Sequence, residues 1–209
     1  MLNLRRIAVV AALCGVVSLA LAPGAAADSI RDNQQWVLDM MNVPAAWLQT
    51  EGAGVTVAVI DSGVNPRVSD LAGSVTTGPD YTGVRTRPSN PNWGMHGTWM
   101  ASLIAGHGHA GGSSGIIGIA PKATILSIRV IPDRSDPHYH QYEHEQESRI
   151  QQSLASGIDY AVQHGAKVIS MSIGYSTPSG VVKEALQQAY SRGVVVVASA
   201  GNSGVQSGA

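Results

Sequence analysis

Four stretches of small and β-branched apolar residues recur along the chain: Val55–Ile60, Ile125–Ile131, Lys167–Ile173 and Val194–Ala200. None alternates apolar with polar residues. Runs of this kind fit strands covered on both faces, as in a parallel sheet held between helices. Helical spacing fills the intervals. Thr98–Ala105 is short and apolar. Glu147–His164 places Ile150, Leu154, Ile158, Ala161 and Val162 on one side and closes on Gly165, while Ser179–Arg192 does the same with Val182, Ala185, Leu186 and Ala189 before Gly193. Strand and helix in alternation predict an α/β fold: a doubly wound, mostly parallel sheet with helices on both faces and right-handed crossovers. Phenylalanine is absent and glycine numbers 24, which favours close packing of small side chains over an aromatic core. The stretch Asp28–Gln49, with Trp36, Val43, Pro44 and Trp47, reads as a leading segment packed on this body.

The first residues carry an address. Arg5 and Arg6 precede an apolar run from Ile7 to Ala22, then Pro23-Gly24-Ala25-Ala26-Ala27. A charged start, an apolar middle and small residues before the cut predict a secretory signal spanning residues 1–27. The run falls short of the roughly 20 apolar residues of a spanning helix. The Arg-Arg pair lacks the flanking residues of a twin-arginine signal, and Cys14 reads as filler within the run. Cleavage removes that single cysteine, which excludes disulfides and thiol catalysis from residues 28–209. It also removes two arginines and no acid, taking the net charge from −1 to −3, so nucleic acid is not an expected partner. The predicted location is therefore secreted or extracytoplasmic, with membrane attachment only if a C-terminal anchor exists.

What the strands run into suggests the chemistry. In open α/β sheets ligands bind beyond the carboxyl ends of the strands. "VAVIDSGV" ends a strand on Asp61, "ISMSIG" ends one at Ser170–Gly174, and "VVVVASAGNSG" ends one near Asn202. Asp-Ser-Gly is also good turn chemistry, and Asn202 before Ser-Gly has the same alternative. "MHGTWMASLIAG" adds His96 just ahead of an apolar helix, with Gly97 allowing close backbone approach and Thr98 able to cap. The positive end of a helix disfavours imidazolium, which favours a neutral His96 able to accept a proton. A buried carboxylate that orients such a histidine is the base half of a nucleophilic triad. A side-chain amide at the same rim can donate to an oxyanion, and "SMSIG" offers an edge to an extended peptide.

In this order the motifs resemble those of the subtilisin-like serine proteases, from about Trp36 to the end of the chain. "VAVIDSGV" is similar to the family's aspartate motif, "HGTWMASLIAG" to its histidine motif and "VASAGNSG" to its oxyanion-asparagine motif. The resemblance implies Asp61 as orienter, His96 as general base and acid, and Asn202 as oxyanion donor. It implies Ser172, Ile173 and Gly174 along the substrate backbone, with Ala200 and Gly201 opposite. The expected partner is an extended peptide or protein substrate. Trp99 departs from the family pattern, which often has histidine there. The Trp-containing leader and "TEGAGVTVAVIDSGV" resemble the mycosins in particular. The family's nucleophile motif, Gly-Thr-Ser-Met-Ala-like and opening a long helix, does not occur in these 209 residues. Ser199, Ser203 and Ser207 open no apolar helix. The expectation is therefore the N-terminal part of a peptidase domain over residues 28–209, inactive by itself, with the sheet incomplete at the C-terminus. A non-catalytic peptide-binding protein and a metal hydrolase using Asp61 and His96 as ligands are the rival classes.

Two polar stretches read as solvated loops. "PDRSDPHYHQYEHEQE", Pro132–Glu147, holds His138, His140, His144, Glu143, Glu145 and Glu147, without the tight spacing of a metal site. "GHGHAG", Gly106–Gly111, matches a dinucleotide-type glycine string but follows a helix where a strand is required. No cofactor is expected, and no motif specific for calcium is present.

Overall fold

The computed structural model describes residues 29–109, 111, 114–143, 147–173 and 179–201. The predicted signal, Gly174 and Asn202 lie outside the described residues. The leader forms α1 (Ser29–Met40) and α2 (Val43–Trp47). There follow β1 (Thr56–Asp61), a 3-10 turn (Ser69–Leu71) and β2 (Val75–Asp80). Next come α3 (Met95–Ala105), β3 (His107–His109), β4 (Ser114–Ile117) and β5 (Thr124–Arg129). The chain continues as α4 (Tyr139–Glu143), α5 (Glu147–Gln163), β6 (Val168–Met171), α6 (Gly180–Ser191) and β7 (Val195–Ala198).

Five of these strands make one parallel sheet in the order β2-β5-β1-β6-β7. This is the expected α/β arrangement, with a fifth strand that the apolar runs did not announce. β2, "VTTGPD", is polar because it is an edge strand with half its surface in water. One face carries Ala58, Ile60, Leu126, Ile128 and Ile169 against Ala155, Ile158 and Ala161 of α5 and Ala185 and Ala189 of α6. The other carries Val57, Val59 and Ile125 against Ala101 and Ala105 of α3 and Leu71. Alternate residues of β1 thus feed two cores, and an unbroken apolar run is the pattern that requires. Alanines at the helix contacts let the helices sit close to the sheet, as the small-residue composition anticipated.

The leader packs on the body through the β3–β4 hairpin and the loop after it. Arg31 donates from Nε to the carbonyl of Gly115 at 3.0 Å, and Gln34 exchanges hydrogen bonds with the backbone of Ile117. Trp47 donates to the carbonyl of Ile119 at 2.9 Å, while Leu38 and Val43 are buried. Trp36, by contrast, stands mostly in solvent.

Both expected loops are revised. The histidines of "GHGHAG" are on β3: His109 Nδ1 lies 2.8 Å from Asp70 Oδ1, and His107 reaches the carbonyl of Ala72. The described part of the Pro132–Glu147 stretch is anchored, because Asp136 is fully buried and α4 sits within it, while His144 and Glu145 lie outside the described residues. The run Val194–Ala200 also differs from expectation. Val195 and Val197 are 58% and 55% exposed, although the same kind of run in β1 is buried from Val57 onward.

Candidate active site

Parallel pairing brings the carboxyl ends of β1, β5, β6 and β7 to one edge. Asp61 lies opposite Arg129, and Val59 opposite Ser170, so two residues on Ser172 reaches the level of Asp61. The amide of Ser199 donates to the carbonyl of Met171, carrying the β6–β7 pairing toward Ala200 and Gly201, which are exposed.

Asp61 is fully buried. Its Oδ1 accepts the amide of Ser62 at 2.6 Å and faces His96 Nδ1 at 2.8 Å, while Oδ2 lies 3.0 Å from the same nitrogen. An ionised carboxylate only accepts, so the proton of the neutral ring sits on Nδ1 and the Nε2 lone pair is left available. The aspartate is inaccessible while the His96 side chain is 40% exposed. An oriented imidazole open to solvent on its far side is a competent proton acceptor.

Local sequence explains the approach. After β1 the chain turns at Gly63, whose φ of +99° is costly for other residues and whose missing side chain leaves room for the Trp93 ring, 2.7 Å from a hypothetical Cβ. Gly97 lies against the carbonyl of Gly63, and any Cβ there would also come within 3.2 Å of the Asp61 Cβ. The turn and the helix are stitched together: the Gly97 amide donates to Ser62 Oγ at 3.1 Å, and the Asn65 amide to Thr98 Oγ1 at 2.9 Å.

Two features of α3 correct the sequence reading. His96 lies inside the first turn, not ahead of it. Thr98 does not cap the helix; its hydroxyl donates back to the carbonyl of Gly94. The cap comes from Asp133, whose Oδ2 and Oδ1 accept the amides of Met95 and His96 at 2.7 and 3.0 Å. The positive end of α3 is therefore met by a carboxylate.

Behind the pair lies a cation that the sequence reading missed. Arg129 is 1% exposed and uses Nε on the carbonyl of Ser62, Nη1 on Asp80 and Thr82, and Nη2 on Asp136. Its guanidinium lies 5.6 Å from the centre of the Trp93 ring. Thr86 donates to the second oxygen of Asp136. The signal was present in "TILSIRVI": an arginine inside a buried strand requires acidic partners, and Asp80 and Asp136 supply them.

In front of the pair is a cleft of about 620 Å³. His96, Ser62, Ser172 and Ile173 line it, with Trp99 of α3 and Tyr139 of α4 among its walls. Asp61, His96, Ser172 and Ile173 thus come together, while Asn202 and Gly174 are outside the described residues. No group of three metal-ligating side chains occurs among the described residues.

The profile described as "Subtilase family" matches residues 52–209. The chain belongs to the subtilase family. Among curated relatives, thermitase of Thermoactinomyces vulgaris is 36% identical over 177 residues, covering 85% of this chain and 58% of that protein. The structure of fervidolysin from Fervidobacterium pennivorans, a keratinolytic enzyme related to subtilisin, matches with a TM-score of 0.62 at 32% identity, covering 77% of this chain and 23% of the other. That of MycP1 from Mycobacterium smegmatis matches with a TM-score of 0.61 at 28% identity, covering 87% and 48%. This subtilase chain spans less than two thirds of the length of each of the three. The subtilisin-like fold expected from the motifs is the fold these neighbours share.

Proposed function

We propose that this subtilase chain supplies the base half of a serine endopeptidase site, acting on an extended peptide or protein. The observation that carries the reading is the contact of buried Asp61 with Nδ1 of half-exposed His96 at the carboxyl edge of the sheet. In this reading a serine encoded after residue 209 provides the nucleophile, and residues 28–209 are the N-terminal part of the peptidase domain. His96 Nε2 takes the proton of the serine hydroxyl as its oxygen attacks the peptide carbonyl. Asp61 stabilises the imidazolium that forms, and the ring then returns the proton to the leaving amine. Asn202 donates to the oxyanion, and the substrate strand lies along Ser172–Gly174 with Ala200 and Gly201 opposite. The chemistry of this reading calls for no cofactor. Residues 1–27 direct export, in keeping with a relative named the minor extracellular protease Epr of Bacillus subtilis.

The test uses the complete product of the source gene. A fluorophosphonate labels it, it hydrolyses unfolded protein, and Asp61→Asn lowers turnover by about 10⁴-fold. Binding of extended peptide with neither labelling nor turnover would support the non-catalytic reading instead. Activity abolished by chelator, in a protein that the fluorophosphonate leaves unlabelled, would support a metal hydrolase.

A further inference from the structure

The polar stretch after β5 ends up against the helix that carries His96, and its contacts there are specific. A helix begins with amides that have no partner within it. In α3 these are Met95, His96 and Gly97, since the Thr98 amide already reaches the carbonyl of Gly94 at 2.9 Å. Each is taken by a side chain from outside the helix: Met95 and His96 by the two oxygens of Asp133, Gly97 by Ser62 Oγ. Ser62 follows Asp61, so one of these acceptors belongs to the aspartate's own turn. Asp133 belongs to the stretch that Arg129 secures through Asp136, and the same arginine holds the carbonyl of Ser62. The contacts close a ring: Asp61, His96, Asp133, Asp136, Arg129, Ser62 and back to Asp61.

We propose that Asp133 is a positioning residue for His96, its carboxylate fixing the first turn of α3 so that the imidazole stays on Asp61. Its two hydrogen bonds to α3 are with backbone amides, and it acts through His96. Its significance rests on the reading of His96 as the general base. A carboxylate supplies two charge-assisted acceptors in a fork that matches two successive amides. An asparagine keeps the shape with a single acceptor oxygen, and an alanine keeps neither.

The experiment uses the full chain labelled with ¹⁵N and needs no serine, so failure of the endopeptidase reading leaves it intact. It reads the low-field Nδ1–H resonance of His96 and the exchange rates of the Met95 and His96 amides. In Asp133→Ala both amides exchange at least about ten times faster and the ring resonance broadens or disappears. In Asp133→Asn the effects are intermediate, while amides in α5 keep their protection in both variants. A folded Asp133→Ala protein with ring resonance and both amide rates unchanged would overturn the proposal. If alanine prevents folding, Asp133→Asn decides it by the same two readouts. If neither variant folds, the unmutated chain decides: Met95 and His96 amides exchanging as fast as exposed ones would overturn the proposal, and protected ones uphold it.

Discussion

Val57, on the central strand, and Val195, on an edge strand, belong to one cross-strand row and are joined through Val168. Both sit in valine-rich apolar runs, and their strands are parallel members of one sheet. Yet Val57 is 5% exposed and Val195 58%. The difference comes from what lies over each strand. Around β1 the face is closed by α3 and Leu71, whereas on the same face of β7 Val195 and Val197 are more than half exposed. On the reverse face Val196 is partly buried and packs on the cluster to which Ala185 and Ala189 of α6 belong. A run of valines therefore reports a strand's suitability for burial on both sides, and says nothing about how far along the sheet the covering layer extends.

Three substitutions sharpen this contrast or break it. The largest effect belongs to the closed half. Arg129→Met leaves Asp136 buried without its cation and should cost about 3–5 kcal/mol of unfolding free energy in urea titration. A cost below about 1 kcal/mol would mean that the closed half tolerates unpaired carboxylates and is less tightly sealed than its packing implies. The second is Val57→Thr, which keeps the shape and buries a hydroxyl, for a loss of about 1–3 kcal/mol in the same assay. The smallest is the identical change on the edge strand of the same row. Val195→Thr should stay within about 0.5 kcal/mol, as for other exposed positions. Equal costs at Val57 and Val195 would show that β7 is covered in solution, and the contrast would fall.

The same contrast separates what could be read from the sequence. The central strands were legible because burial on both faces leaves an unbroken Val/Ile run, and α5 and α6 because their apolar residues keep helical spacing. β2 was not, since "VTTGPD" pairs only through its backbone to β5 and keeps half its surface wet. Asp61 and His96 were legible as local motifs, and they meet at 2.8 Å. Asp133, Asp136 and Arg129 were not singled out, because their meaning lies in long-range pairing. Asp133 sits beside His96 only after α3 and β5 have both docked, and a polar stretch looks alike whether its acids face water or a buried guanidinium. The histidines of β3 went the same way: their neighbours Asp70 and Ala72 come from the 3-10 turn and the residue after it.

The arrangement around Arg129 bears on anyone hoping to trim this protein. Deleting the stretch from Pro132 to Glu147, to give a leaner scaffold, would discard both the buried one of the two acids that neutralise Arg129 and the acid that tethers the histidine's helix. A shortened variant would leave Arg129 with Asp80 as its remaining described carboxylate partner, and would need a new anchor for Met95 and His96. What resembles decoration in the linear text is, in three dimensions, part of the foundation.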